Sequence, residues 1–140
     1  MDVGEQARHA AVRWALTFMI LLDTNALIWL DQGHRRTRLL AKEARRLHVS
    51  PASVLELQYL LETGRIRLRA ASLAEFIERG PWTLDDPPSG AWFTRALDIG
   101  WTRDPFDRLI VAHARLRGWR VATADTMMVE HLSTAERFDF

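Results

Sequence analysis

Asp23, Glu56, Asp107 and Asp125 are acids at positions where a folded chain could gather them. Asp23 directly follows the apolar run Ile20-Leu21-Leu22, and Asp125 follows Val121-Ala122-Thr123-Ala124. Each therefore sits where a strand ends and a turn or helix begins. Taken singly, each also reads as a helix N-cap, a position that aspartate favours. Glu56 is harder to place in a purely structural role. Val54, Leu55, Leu57, Tyr59, Leu60 and Leu61 surround it, and a helix apolar on all faces is expected to be buried. A carboxylate there is costly unless it is paired. No lysine or arginine lies within one helical turn of Glu56, so its expected partner is a cation from outside the chain. Asp104 and Asp107 open the stretch Asp104-Pro105-Phe106-Asp107-Arg108-Leu109. Asp104 suits the N-cap, with Pro105 at the first helical position, and only one of the two acids is needed as a cap. Asp107 precedes Ile110 and Val111 by one turn, so its face points inward.

Four acids in one crevice, without compensating bases, repel one another. Hard divalent cations resolve that conflict: Mg²⁺ is held by one or two carboxylates, waters and substrate phosphate, and Mn²⁺ accepts the same oxygens. One or two such ions can activate water and neutralise the oxygens of a phosphodiester during in-line displacement. Charge is consistent with this. The chain carries +1 overall, and setting aside Asp23, Glu56, Asp104, Asp107 and Asp125 leaves the remainder at +6. Of the 19 basic residues 18 are arginine, clustered at Arg35, Arg36 and Arg38, at Arg45 and Arg46, and at Arg65, Arg67 and Arg69. Arginine's planar fork suits phosphates, and arginine in place of lysine also follows from a GC-rich genome; the sequence leaves both readings open.

Other constellations are weaker. His48, Ser50 and Ser53 make no triad, because the serines are better explained as helix-start residues. His113 lies on an apolar helix and reads as core or rim, and the tryptophans read as packing more than base stacking. A haloacid-dehalogenase-type phosphatase also begins with a strand and an aspartate, but it requires a second aspartate where this chain has Asn25.

These residues need a scaffold. A chain of 140 residues, 48% hydrophobic and 26% charged, is sized for one compact domain and is neither disordered nor low in complexity. With no cysteine, disulfides, thiol nucleophiles and cysteine-based zinc sites are excluded, and a cytoplasmic location is the simplest expectation. The apolar run over 14–22 is too short to span a membrane and leads into Asp23 rather than a small-residue cleavage site. Residues 18–22 read as a central strand, apolar throughout because both faces are covered. Helices are expected over 37–46, over 51–63 with Ser50 as cap and Gly64 as stop, from Ser72 to near Gly80 with a capping box to Glu75, over 90–98 and over 105–117 with Gly118 as stop. Short strands are expected at 48–49, 82–84 and 119–123. Residues 1–17 form an extension, expected to be helical from Val3, Ala7, Ala11 and Trp14, and 18–140 form the domain. Strands alternating with helices imply an α/β fold, a mostly parallel central sheet with helices on both faces. Its ligands belong at the carboxyl ends of the strands.

Leu22-Asp23-Thr24-Asn25, the Ser50 to Glu56 stretch, Asp104 to Ala112 and Thr123-Ala124-Asp125 together resemble the PIN domain, most closely the VapC-type toxins of bacterial toxin–antitoxin pairs. The resemblance runs from about Met19 to Leu132. It implies a PIN-like fold and a Mg²⁺- or Mn²⁺-dependent endoribonuclease acting on single-stranded or structured RNA. Asp23, Glu56, Asp107 and Asp125 match the family's metal-binding, catalytic acids, with Asp104, Thr123 and Asn25 auxiliary. Arg103, Arg108, Arg35 and Arg36 are candidates for contact with RNA. The resemblance further implies a cognate antitoxin, a homodimer and no membrane. Thr102-Arg103 stands where members with this block often have His-Arg, and Leu60 where many have lysine. The alternative is a non-catalytic PIN-fold module that binds RNA or a protein partner.

Overall fold

The computed structural model describes residues 2–8 and 19–140. Residues 3–8 are helical, α1; Ala11, Trp14 and Phe18, which carried expectations about the extension and the first strand, lie outside the described residues. The central strand β1 (Ile20–Leu22) is buried at all three positions. Alternation along the strand explains why. Ile20 and Leu22 join Leu27, Leu40, Val49 and Leu57 on one side, while Leu21 joins Ile110, Val111, Val121 and Met128 on the other. With both faces covered, a continuous apolar run is what a parallel strand requires.

β1 pairs with β2 (Leu47–Val49) on one side and β4 (Arg120–Ala122) on the other. Two edge strands, β3 (Thr83–Leu84) and β5 (Arg137–Phe138), complete a sheet of order β3-β2-β1-β4-β5. Every pairing is parallel, and the α/β class expected from the sequence is the one found. Because β1 has its successor on one side and β4 on the other, the chain changes direction there, leaving a crevice beyond the strand ends.

Helices α2 (Thr24–Asp31), α4 (Pro51–Glu62), α7 (Pro105–Arg117) and α8 (Thr126–His131) start at that edge of the sheet. Ser50 caps α4 by accepting a hydrogen bond from the Ala52 amide, with Pro51 at the first position. Gly118 ends α7 at a φ of 71°, a left-handed conformation that glycine adopts without steric cost. α5 (Leu73–Arg79) has Ser72 as its cap, but Glu75 accepts from the Ala71 amide rather than closing the expected box on Ser72. α6 (Ser89–Ala96) is slightly shorter than expected.

The single helix expected over 37–46 is broken. A 3-10 turn at Arg35–Thr37, the short α3 (Arg38–Ala41) and a second 3-10 turn at Ala44–Arg46 take its place. Only Thr37 and Leu40 are buried in this stretch, which is too little packing to hold a longer helix on the core. α8 and β5 had no forecast. His113 is fully buried, as its apolar neighbours implied, and its Nε2 donates to the Asp85 carboxylate at 2.7 Å. Arg117 Nε donates to the same oxygen at 2.9 Å. Against the opposing effect of partial burial, these bonds hold the Asp85 carboxyl below its usual range. No helix among the described residues is long and apolar enough to cross a membrane.

Candidate active site

Asp23, the first residue after β1, is buried, and its amide donates to Ala122 O at 3.1 Å, extending the β1–β4 ladder. Its Oδ1 caps α2, accepting from the Ala26 amide at 2.7 Å. Burial pushes its pKa up to about 6, against hydrogen bonds from Thr123 and Ala26, and the charge of Asp125 adds to the rise. Asp125 stands at the end of β4 and caps α8, its Oδ1 accepting from the Met128 amide at 3.0 Å. The Thr123 hydroxyl links the two acids: it bonds the Asp23 carboxyl and accepts from the Asp125 amide at 3.0 Å.

Asp104 is the cap of α7, its Oδ1 accepting from the Phe106 amide at 2.8 Å and the Asp107 amide at 3.3 Å. Asp107 is therefore free of capping duty and half-buried in the first turn. Burial pushes its pKa up to about 7, and the carboxylates of Asp104, Glu56, Asp125 and Asp23 add to the rise in that order. Glu56 comes from the second turn of α4. The expectation of a helix buried all round is corrected here: Leu55 is 63% exposed and Tyr59 46% exposed, so Glu56 is only half-buried. The solvent side of α4 carries apolar groups that composition alone could not distinguish from core. Burial still raises the Glu56 pKa, opposed by a hydrogen bond from Thr24, with Asp104 and Asp23 adding to it.

These residues meet in one pocket of about 190 Å³, lined by Asp23, Thr24, Asn25, Glu56, Leu60, Asp104, Asp107 and Asp125. No lysine, arginine or histidine is among the described residues that line it. A wider groove of about 520 Å³ between α6 and α7 touches none of these acids. Arg103 is exposed next to Asp104, and Arg108 Nε donates to Thr102 O at 2.7 Å, bracing the turn before α7. Arg35 is exposed, and the Arg36 guanidinium lies 5.3 Å from the centroid of the Trp29 ring, with Nη2 3.5 Å from Phe140 O. None of the four arginines is among the described residues lining the pocket. Sequence reasoning gave no role to Thr24, which is buried, bonds Glu56 and shares a 3.1 Å hydroxyl contact with Ser53. A hydroxyl directly after Asp23, opening an apolar helix, was the available signal.

A hard cation suits this donor set. The lining offers carboxylate and amide oxygens, the acids raise one another's pKa, and no basic residue is among the described lining. No three carboxylates or imidazoles among the described residues form a ready-made ligand cluster.

Comparison with known proteins agrees with this arrangement. The family model for the PIN domain matches residues 20–131. The chain is 33% identical over 122 residues to Ribonuclease VapC22 of Mycobacterium tuberculosis (strain ATCC 25618 / H37Rv), covering 80% of this chain and 91% of that protein. A chain in the solved structure of FitAB bound to an IR36 DNA fragment superposes with a TM-score of 0.51 at 23% identity, covering 87% of this chain and 94% of its own. That last likeness speaks for the fold alone, whereas the family model runs through the segments that carry the acids. The chain belongs to the PIN domain family and is of the VapC type.

Proposed function

We propose that this protein is a Mg²⁺- or Mn²⁺-dependent endoribonuclease, cleaving single-stranded or structured RNA as the toxin of a toxin–antitoxin pair. The observation that carries the reading is the convergence of Asp23, Glu56, Asp107 and Asp125 on one pocket without a basic residue among its described lining. A bound ion supplies water activation and charge neutralisation at the phosphodiester. Asp23, Glu56, Asp107 and Asp125 would hold it through their carboxylate oxygens, directly or through the ion's own waters. Thr24 and Thr123 orient Glu56 and Asp23, while Asp104 and Asn25 complete the wall. No side chain is attached covalently. Homology to a ribonuclease over most of both chains supports RNA as the substrate. VapC-type membership supports a homodimer and inhibition by a cognate antitoxin, and the family implies a cytoplasmic setting.

Purified protein is expected to cleave single-stranded RNA with Mg²⁺ or Mn²⁺ and to stop on EDTA addition. Asp23→Asn, Glu56→Gln and Asp125→Asn are each expected to slow cleavage by at least ~100-fold, the scale of losing a group that orients the reaction. Full activity in all three would overturn the mechanism. RNA binding without cleavage in either metal would favour a non-catalytic module instead.

A further inference from the structure

Beside the acid pocket lies an exposed aromatic and cationic group that the chemistry above leaves unused. Tyr59 lies one turn after Glu56 on α4 and next to Leu60, which lines the pocket. Phe106 lies between Asp104 and Asp107 at the start of α7, its ring centroid 6.5 Å from that of Tyr59. The two rings therefore bridge α4 and α7 next to Leu60, Asp104 and Asp107, which line the pocket. Tyr59 is 46% exposed, although a tyrosine with no surface role gains by burying its ring. The Arg65 guanidinium lies over that ring, 5.8 Å from its centroid. It belongs to a stretch whose burial alternates. Ile66, Leu68 and Ala70 are half-buried against the core, and Arg65, Arg67 and Arg69 are exposed. The arginine cluster noted in the sequence thus faces solvent because its apolar partners face inward. With the scissile phosphate left to the bound ion, the phosphates that flank it find no basic group among the described lining of the pocket, and Arg65 at the rim is placed to meet one of them.

We propose that Tyr59, backed by Phe106, is a stacking platform for a base of single-stranded RNA next to the scissile phosphate, and that Arg65 binds an adjoining phosphate. This rests on the ribonuclease reading and adds to it how the substrate is held. An exposed ring with a guanidinium beside it is what single-strand binding uses: stacking accepts any base, and arginine supplies charge. Arg65 covers the ring in the absence of RNA. A base taking that place leaves the guanidinium, on its flexible stem, to meet the backbone.

The test is binding of a fluorescein-labelled single-stranded RNA by anisotropy in EDTA, where cleavage is off, with steady-state cleavage kinetics in Mn²⁺ alongside. Tyr59→Ala is expected to weaken binding by roughly 5- to 150-fold, the range for losing one stacked base. It is expected to raise KM with little change in kcat, while Tyr59→Phe and Tyr59→Trp restore binding. Arg65→Ala is expected to weaken binding and lower the salt slope by about 1. Arg79→Ala, at an exposed arginine paired with Glu75, removes the same charge elsewhere and is expected to change neither. Wild-type binding in Tyr59→Ala overturns the platform while the ribonuclease reading stands. A change of molecular mass by light scattering in place of weakened RNA binding overturns it in favour of a protein interface. Loss of Mn²⁺-induced thermal stabilisation in Tyr59→Phe also overturns it, since Tyr59 is then a structural support of the pocket. Wild-type protein that neither binds nor cleaves RNA removes the ribonuclease reading and the platform with it.

Discussion

Asp104 and Asp107 are three residues apart and carry different loads. Asp104 spends Oδ1 on two backbone amides, whereas Asp107 meets only burial and other carboxylates, which push its pKa up to about 7. Asp23 rises to about 6 for similar reasons. In the unfolded chain both titrate near 3.8, so between that value and neutrality the native state holds more protons and stability falls as pH rises. The contribution is fully present below the unfolded value and lost as pH passes about 6 for Asp23 and about 7 for Asp107. His113 moves the other way, burial lowering its pKa against the pull of Asp85. The clean readout is therefore the difference between wild type and Asp107→Asn. In EDTA, that variant is expected to be neutral or stabilising at pH 8, with a smaller drop in Tm between pH 5 and pH 8 than wild type. In wild type, Mn²⁺ at 100 times its Kd is expected to add roughly 2.7 kcal/mol. A large destabilisation by Asp107→Asn in EDTA would make Asp107 a structural residue. At this scale the three caps and the inward face of Asp107 were legible from local rules. The exposure of Leu55 and Tyr59 was not, because an apolar helix surface that faces solvent has the composition of core.

Elements were legible where the signals at both ends agreed. Ser50-Pro51 and Gly64 bracket α4, and Asp104-Pro105 and Gly118 bracket α7. The stretch over 35–46 offers no such bracket and a narrow buried stripe, so its pieces are set by where Thr37 and Leu40 meet the core. β5 is two residues long and is defined only by its ladder to β4, a long-range partner that local periodicity cannot show. α7 also acts as a strut. Its start carries Asp107, and its later turns carry His113 and Arg117, both bonded to Asp85 just after β3. Asp85→Ala leaves the buried His113 Nε2 without its acceptor and reduces Arg117 to its bond with Asp86 O at 3.2 Å. Hydrogen bonds to charged groups are worth about 1.5–3 kcal/mol, and a loss of about that size is expected in urea unfolding. The stabilisation gained on adding Mn²⁺ is expected to stay unchanged, because Asp85 does not line the acid pocket. A reduced gain would show that the strut sets the geometry of the acids.

Across the whole molecule, the alternation of strands and helices was enough to imply a parallel sheet and hence a site beyond the strand ends. The order β3-β2-β1-β4-β5 was not in the periodicity, since nothing local states on which side of β1 a later strand pairs. The acids converge all the same, because residues after either neighbour of β1 arrive at the same edge. The boundary of the domain is open to a direct experiment. Met19 O accepts from the Arg120 amide at 3.1 Å, and the described residues that line the acid pocket all lie beyond it. A chain shortened to start at Met19 is expected to fold and to cleave RNA within a few-fold of the full-length rate. If it is folded but neither binds Mn²⁺ nor cuts, the extension belongs to the active site. The full chain is expected to be dimeric by light scattering, and a strict monomer at micromolar concentration removes that part of the proposal.

Three of the acids that line the pocket also hold helices in place with the same side chains, Asp23 for α2, Asp104 for α7 and Asp125 for α8. Asparagine and serine cap about as well as aspartate, and alanine does not. Selection for folding alone would therefore keep these positions polar after selection for cleavage had lapsed. Glu56 and Asp107, which cap nothing, would be released at once. A lineage drifting away from cleavage would lose its acids in that order, so that a descendant with Asn at 23 and 125 and an apolar residue at 107 would be a stable relic of the enzyme.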